Sequence, residues 1–320
     1  MQRLPNPVSM APASTGAMAR RGACRNRAAA AVLLAALLVA GCSPGAQPPP
    51  PARPAAASAP PLTAEEQALQ ARLPEKVEAG AQHDWIMDAI LGKPKKSIKT
   101  IGILVYDGVN DLDVMGPRYV LGQAMAKTRL IGVKPGPIKT VMGVQIVPDT
   151  TIDEVKSLDI LVVPGGFTGT IEAAYDAKVL DWIRAIDKTS TYTTAVCTGV
   201  WVLGATGLLE GKRASTNWYR EEEFLKKYKA IPANERYTRD GKYWTSAGVT
   251  AGIDMSLAIL QDNWGDKYAQ GVMLDMEYDP APPLSGGTPE RTHPLVRWMM
   301  KAMYDAGVDP LIEKLEKRGR

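Results

Sequence analysis

Hydrophobic residues in the middle of this chain gather in short blocks separated by longer amphipathic stretches. The runs Ile101-Gly102-Ile103-Leu104-Val105, Leu158-Asp159-Ile160-Leu161-Val162-Val163 and Thr193-Thr194-Ala195-Val196 are too short for buried helices, which marks them as buried strands. Between them, Asp111 to about Ala126 and Thr170 to about Ile186 carry helical spacing, a strand is expected near Arg129 to Val133, and Ile138 to Val147 reads as a hairpin. Strands that alternate with helices in this way predict a mainly parallel sheet covered on both faces. Farther on, Arg213 to Thr216 and Tyr243 to Ser246 read as strands and Thr250 to Trp264 as a helix. Proline excludes regular structure from Tyr278 to Gly287, and Thr292 to Ala306 and Pro310 to Arg318 read as two closing helices.

The N-terminal third has a different pattern. Arg3, Arg20, Arg21, Arg25 and Arg27, without an acidic residue, precede the apolar run Ala28 to Ala40, which is too short to span a bilayer. Residues 1–41 therefore read as a signal peptide. Val39-Ala40-Gly41-Cys42 resembles the lipobox of bacterial lipoproteins, which implies that Cys42 becomes the lipidated first residue. Ser43 after it implies sorting to the outer membrane, facing the periplasm. Residues 42–62 are rich in Pro and Ala and read as a disordered tether. A helical extension over 63–98 follows, opened by a capping box from Thr63 and Glu66 and split at Pro74. The main domain is expected over 99–290 and the closing helices over 291–320.

Charge then narrows the choice of partner. The chain holds 38 Lys and Arg against 34 Asp and Glu, but five of those arginines lie in the signal segment, so 33 face 34 in the remainder. A near-neutral protein lacks the electrostatic case for nucleic-acid binding. A small-molecule substrate, a membrane reached through the N-terminal lipid, and a homodimer are the expected partners.

Cys197 is the residue most suggestive of chemistry. It ends a strand-like run and is followed at once by Thr198-Gly199 and the helix-like Val200 to Ala205, the order of a nucleophile elbow. A thiol there, facing a helix N-terminus, is expected to ionise more readily than a free one. The other two cysteines fall in the export segment, so Cys197 has no internal disulfide partner. The competing reading is a small buried hydrophobe. In a parallel sheet, the loops Asp107 to Pro117, Pro164-Gly165-Gly166 and Cys197-Thr198 all leave the carboxyl ends of strands and should converge. Gly165 and Gly166 with the Thr198 N–H could form an oxyanion hole. Asp113 could equally be a helix N-cap and Thr198 a helix-start hydroxyl.

These segments resemble the ThiJ/PfpI superfamily of class I glutamine amidotransferase-like proteins, and within it the isonitrile hydratase branch. The likeness runs from about residue 99 to 290 through Leu112-Asp113-Val114-Met115-Gly116-Pro117, Val163-Pro164-Gly165-Gly166, Val196-Cys197-Thr198-Gly199, Leu203 to Ala214, Gly248 to Asp254 and Glu277-Tyr278. It implies a flavodoxin-like three-layer α/β sandwich, with Cys197 as nucleophile, Asp113 as acidic partner and Thr198 as hydroxyl donor. It also implies hydration of an isonitrile to an N-substituted formamide without metal or organic cofactor. Met115 and Asn217 depart from the branch's pattern and, with Ser246, are candidates for the pocket wall; many relatives carry histidine where Asn217 stands. His83 and His293 both lie away from the elbow, which disfavours a Cys-His amidase or protease. A ligand-binding or redox-sensing protein of the same fold is the alternative. Transcriptional control is disfavoured by export, neutral charge and the short stretch after the domain.

Overall fold

The computed structural model describes residues 59–318. The signal segment, Cys42 and most of the tether lie outside the described residues. In chain order the elements are α1 (Ala64–Gln70), α2 (Ala81–Leu91), β1 (Thr100–Val105), α3 (Asp111–Gly122), β2 (Lys127–Gly132), β3 (Ile138–Lys139), β4 (Gln145–Ile146) and β5 (Thr150–Thr151). They continue with β6 (Ile160–Val163), α4 (Thr168–Ala174), α5 (Ala177–Asp187), β7 (Tyr192–Val196), α6 (Gly199–Ala205), β8 (Arg213–Ala214), α7 (Glu221–Lys227) and β9 (Ile231–Pro232). The last are β10 (Tyr237–Asp240), β11 (Tyr243–Ser246), α8 (Ala251–Trp264), α9 (Asp266–Asp275) and α10 (Pro294–Arg318).

Seven strands form one sheet in the order β10-β11-β7-β6-β1-β2-β5. Every neighbouring pair is parallel except the β10–β11 hairpin at one edge. The flavodoxin-like α/β sandwich is therefore the fold. Strands β1, β6 and β7 are buried almost throughout, which explains their uninterrupted apolar character: both faces are covered, so no polar alternation is required.

Local chemistry accounts for the boundaries. Thr63 and Glu66 make both hydrogen bonds of the capping box, and the chain then breaks near Pro74 before α2. Asn110, not Asp113, caps α3: its side chain accepts from the N–H groups of Leu112 and Asp113. The stretch expected as one helix from Thr170 to Ile186 is two, because Asp176 caps a second helix by accepting from Lys178 N–H. Arg213-Ala214 pairs with β9 outside the main sheet.

The two expected closing helices are one, continuous through Pro310. Tyr304, Val308, Leu311, Ile312 and Leu315 recur at helical spacing along a single stripe and pack on Ile171, Trp201, Tyr219 and Phe224. That burial outweighs the loss of one backbone hydrogen bond at the proline.

Close backbone approach between α6 and the end of β6 sets the frame for everything at the carboxyl edge. A Cβ placed on Gly199 would overlap the Val163 carbonyl oxygen and the Pro164 carbonyl group. Neither neighbour is a flexible side chain, so the helix would have to move. Gly199→Ala should cost roughly 2–3 kcal/mol. Urea unfolding checks this: the midpoint should drop with an unchanged slope, whereas a wild-type midpoint would show that α6 does not need this approach.

Candidate functional site

Three loops meet at the carboxyl end of the sheet, as parallel topology requires. Asn110 N–H donates to the Gly165 carbonyl at 2.8 Å, and Val109 and Gly166 form an isolated antiparallel bridge. Added side-chain bulk at Gly166 would meet the Gly108 carbonyl, so glycine is required for the first two loops to touch. Tyr106 reinforces the junction by donating its hydroxyl to the Pro164 carbonyl at 2.7 Å.

Cys197 occupies the turn between β7 and α6 with φ of 58°, the left-handed region that L-residues with a Cβ disfavour. Its backbone is held from both ends. The Cys197 N–H is shared between the carbonyls of Ser246 and Ala247, at 3.1 and 2.9 Å, and the Thr216 hydroxyl donates to the Cys197 carbonyl at 2.7 Å. The sulfur accepts from Asn217 Nδ2 at 3.3 Å. Asn217 cannot flip freely, since its Oδ1 takes the Tyr219 N–H at 3.0 Å.

Asp113 is completely buried. Its Oδ2 accepts from Gly165 N–H at 3.0 Å, and its Oδ1 has no hydrogen-bond partner among the described residues. The carboxyl faces Cys197 closely enough for each group to respond to the other's charge. Burial pushes the Asp113 pKa up to about 7, opposed by the Gly165 N–H and by the thiol. Burial also pushes the Cys197 thiol well above its usual range, and the Asp113 charge adds to it; the Asn217 amide and Thr198 N–H work the other way. This corrects the expectation of an easily ionised thiol. The helix that follows has only seven residues, and its dipole is outweighed by desolvation and a neighbouring carboxylate.

The expected oxyanion hole is also rearranged. Gly165 N–H is engaged by Asp113, and Gly166 N–H donates to Thr198 Oγ1 at 3.1 Å. The Thr198 hydroxyl lies 2.9 Å from the Gly166 carbonyl and 3.1 Å from Thr170 Oγ1, so it ties loops together and is not open to a ligand. Of the three expected donors, the Thr198 N–H is the one that acts on the sulfur among the described residues. Met115 is on the exposed side of α3. Two residues beyond Asp113, it is turned by about 200° around the helix and away from the site. Ser246 contributes its backbone carbonyl to the elbow, while its buried hydroxyl has no hydrogen-bond partner among the described residues. His83 pairs with the adjacent Asp84, and His293 accepts from Leu295 N–H on the first turn of α10.

Sequence reasoning missed Thr216 and Tyr304. Thr216 adjoins Asn217 in the segment already singled out. Tyr304 is distant in sequence, yet burial and then its nearness to Cys197 and Asp113 push its hydroxyl above the usual tyrosine range.

Comparison with known proteins places the fold in a family. Residues 99–262 match the model of the DJ-1/PfpI family. The chain is 41% identical over 191 residues to isonitrile hydratase of Pseudomonas putida, covering 59% of this chain and 83% of that protein. It is 30% identical to the HTH-type transcriptional regulator CdhR of Pseudomonas aeruginosa, across 42% of this chain and 40% of that one. A crystal structure of a ThiJ/PfpI family protein from Pseudomonas syringae superposes with a TM-score of 0.67 at 30% identity, covering 76% of this chain and 98% of that one.

The raised Asp113 pKa has a direct stability consequence. Between its unfolded value near 4 and its folded value of about 7, the folded protein binds more protons than the unfolded chain, so this contribution is full below pH 4 and disappears as pH rises through 7. Asp113→Asn, which keeps the shape, should escape that loss. Measured by denaturation at pH 4.5 and 8, wild type should lose on the order of 3 kcal/mol more than the variant. Parallel pH profiles would contradict the assignment.

Proposed function

The chain belongs to the DJ-1/PfpI family, and from that premise we propose that it is a cysteine-dependent hydratase converting an isonitrile and water to an N-substituted formamide. The observation that carries this reading is the pairing of a buried thiol with a buried carboxyl whose pKa is about 7. Its likeness to isonitrile hydratase supports the choice of substrate class.

An isonitrile carbon is poorly electrophilic until it gains a proton, so a neutral acid beside a neutral thiol suits it. Protonated Asp113 delivers its proton to the terminal carbon as the sulfur attacks that carbon, and the resulting carboxylate takes the thiol proton. A C–S bond and a C–H bond form, leaving a thioimidate on Cys197 with Asp113 protonated again. Water then adds across the C=N bond, its hydroxyl to carbon and its proton to nitrogen. Collapse forms the formamide carbonyl, breaks the C–S bond and returns the hydroxyl proton to sulfur. Asn217, donating to Sγ at 3.3 Å, stabilises negative charge on the departing sulfur.

The alternative redox-sensing role fits less well, because sensor cysteines are accessible and acidic, whereas burial raises this thiol. The similarity to the regulator CdhR spans less than half of either chain.

Formamide release from small isonitriles tests the reading. Cys197→Ala should abolish turnover and Asp113→Asn should reduce kcat by about 10²–10⁴-fold. The wild-type rate should fall as pH rises past 7, because the proton donor is then lost. Full activity in Cys197→Ala would reject the proposal.

For residues 1–62 we propose an exported, outer-membrane lipoprotein, on the strength of the basic and apolar signal pattern and the sequence Val39-Ala40-Gly41-Cys42. In a bacterial host, mass spectrometry should find an acylated Cys42 at the mature N-terminus. An unacylated N-terminus there would contradict it.

A further inference from the structure

The C-terminal helix α10 lies outside the segment matched by the family model, yet its Tyr304 is close enough to Cys197 and Asp113 for its hydroxyl to respond to them. Tyr304 sits among three aromatic rings: Phe167 at 5.1 Å between centroids, Trp218 at 5.7 Å and Tyr219 at 4.8 Å. Each of these rings is next to the site in sequence. Phe167 follows Gly166, which bonds Thr198, and Trp218 and Tyr219 follow Asn217, which bonds the sulfur.

The helix is pinned there by several independent contacts. Tyr219 donates to Asp305 at 2.8 Å, Arg220 reaches Asp309 at 2.6 Å and Tyr175 donates to Glu316 at 3.1 Å. Gly307 packs so closely on the Phe167 ring that a Cβ there would overlap it. Cys197 itself is only 4% exposed. A cavity of about 140 Å³ lies beside Trp218, lined also by Thr288, Thr292, Arg297 and Met300, the last one helical turn before Tyr304.

We propose that Tyr304 is a specificity-determining residue whose ring closes over Cys197 and, with Phe167 and Trp218, forms an aromatic wall that admits compact apolar substrates and turns away bulky ones. The inference rests on the reading of Cys197 as the reacting atom. Aromatic faces offer apolar contact and no positive charge, so the wall favours an alkyl or aryl substituent over an anionic one. Rigid packing makes the limit one of size: the rings interlock, and a large group needs α10 to lift.

Thiol labelling reads this without depending on isonitrile turnover. Methyl methanethiosulfonate and its diphenylmethyl analogue share one reaction. The sulfur of Cys197 attacks the sulfenyl sulfur, a new S–S bond forms, the S–SO₂ bond breaks, methanesulfinate leaves and the thiol proton passes to solvent. Rates are followed at the Cys197 peptide by mass spectrometry on the full chain and normalised to free cysteine. Wild type should react at least tenfold faster with the methyl reagent. Tyr304→Ala should accelerate the diphenylmethyl reagent at least tenfold and leave the methyl rate within threefold, while Tyr304→Phe should keep the wild-type ratio. Gly307→Ala, which displaces the Phe167 ring or α10 with Tyr304 still present, should shift the ratio in the same direction as Tyr304→Ala. A similar rise for both reagents in Tyr304→Ala, or no change in either, would overturn the proposal. Absent isonitrile turnover with this labelling contrast intact would reject the hydratase reading and leave the wall standing.

Discussion

The site depends on a strained backbone at one residue. Cys197 adopts a left-handed conformation that costs an ordinary residue about 1–2 kcal/mol, and it persists because its N–H and carbonyl are both gripped from other parts of the chain. The carbonyls of Ser246 and Ala247 lie at the end of β11, and the Thr216 hydroxyl comes from the segment after β8. Parallel pairing of β7 with β11 brings the first of these into reach, with Val196 opposite Ser246. The strain points the sulfur out of the strand direction and toward Asp113, where a relaxed extended residue would have continued the sheet.

Burial then decides the electrostatics of the pair. A thiol beside a helix start and an amide donor would ordinarily become more acidic, but here desolvation is the largest influence on both sulfur and carboxyl. Two neutral acids side by side can exchange a proton with little change in net charge. That arrangement suits addition to a carbon that must be protonated as it is attacked, and it suits a resting thiolate poorly. The glycines of the Pro164-Gly165-Gly166 turn serve this arrangement by fixing Asp113 and Thr198 in place through their N–H groups.

The C-terminal helix adds the remaining wall. Its apolar stripe from Tyr304 to Leu315 buries against α4, α6 and α7, so the same hydrophobic contacts that keep the helix continuous through Pro310 also fix Tyr304 among the rings that flank the site in sequence.

Much of this was legible in the sequence where the signal is local. Uninterrupted apolar runs determined the buried parallel strands, the Thr63–Glu66 box determined the start of α1, and the order strand, Cys197, glycine, helix determined the elbow. Period, capping chemistry and turn residues act over a few positions, so they can be read without knowing the fold. The sign of the thiol's pKa shift, the capture of the Gly165 and Gly166 N–H groups, the outward turn of Met115 and the arrival of Tyr304 could not be read that way. Each depends on which distant groups share a desolvated space, and only the packing of the tertiary structure decides that.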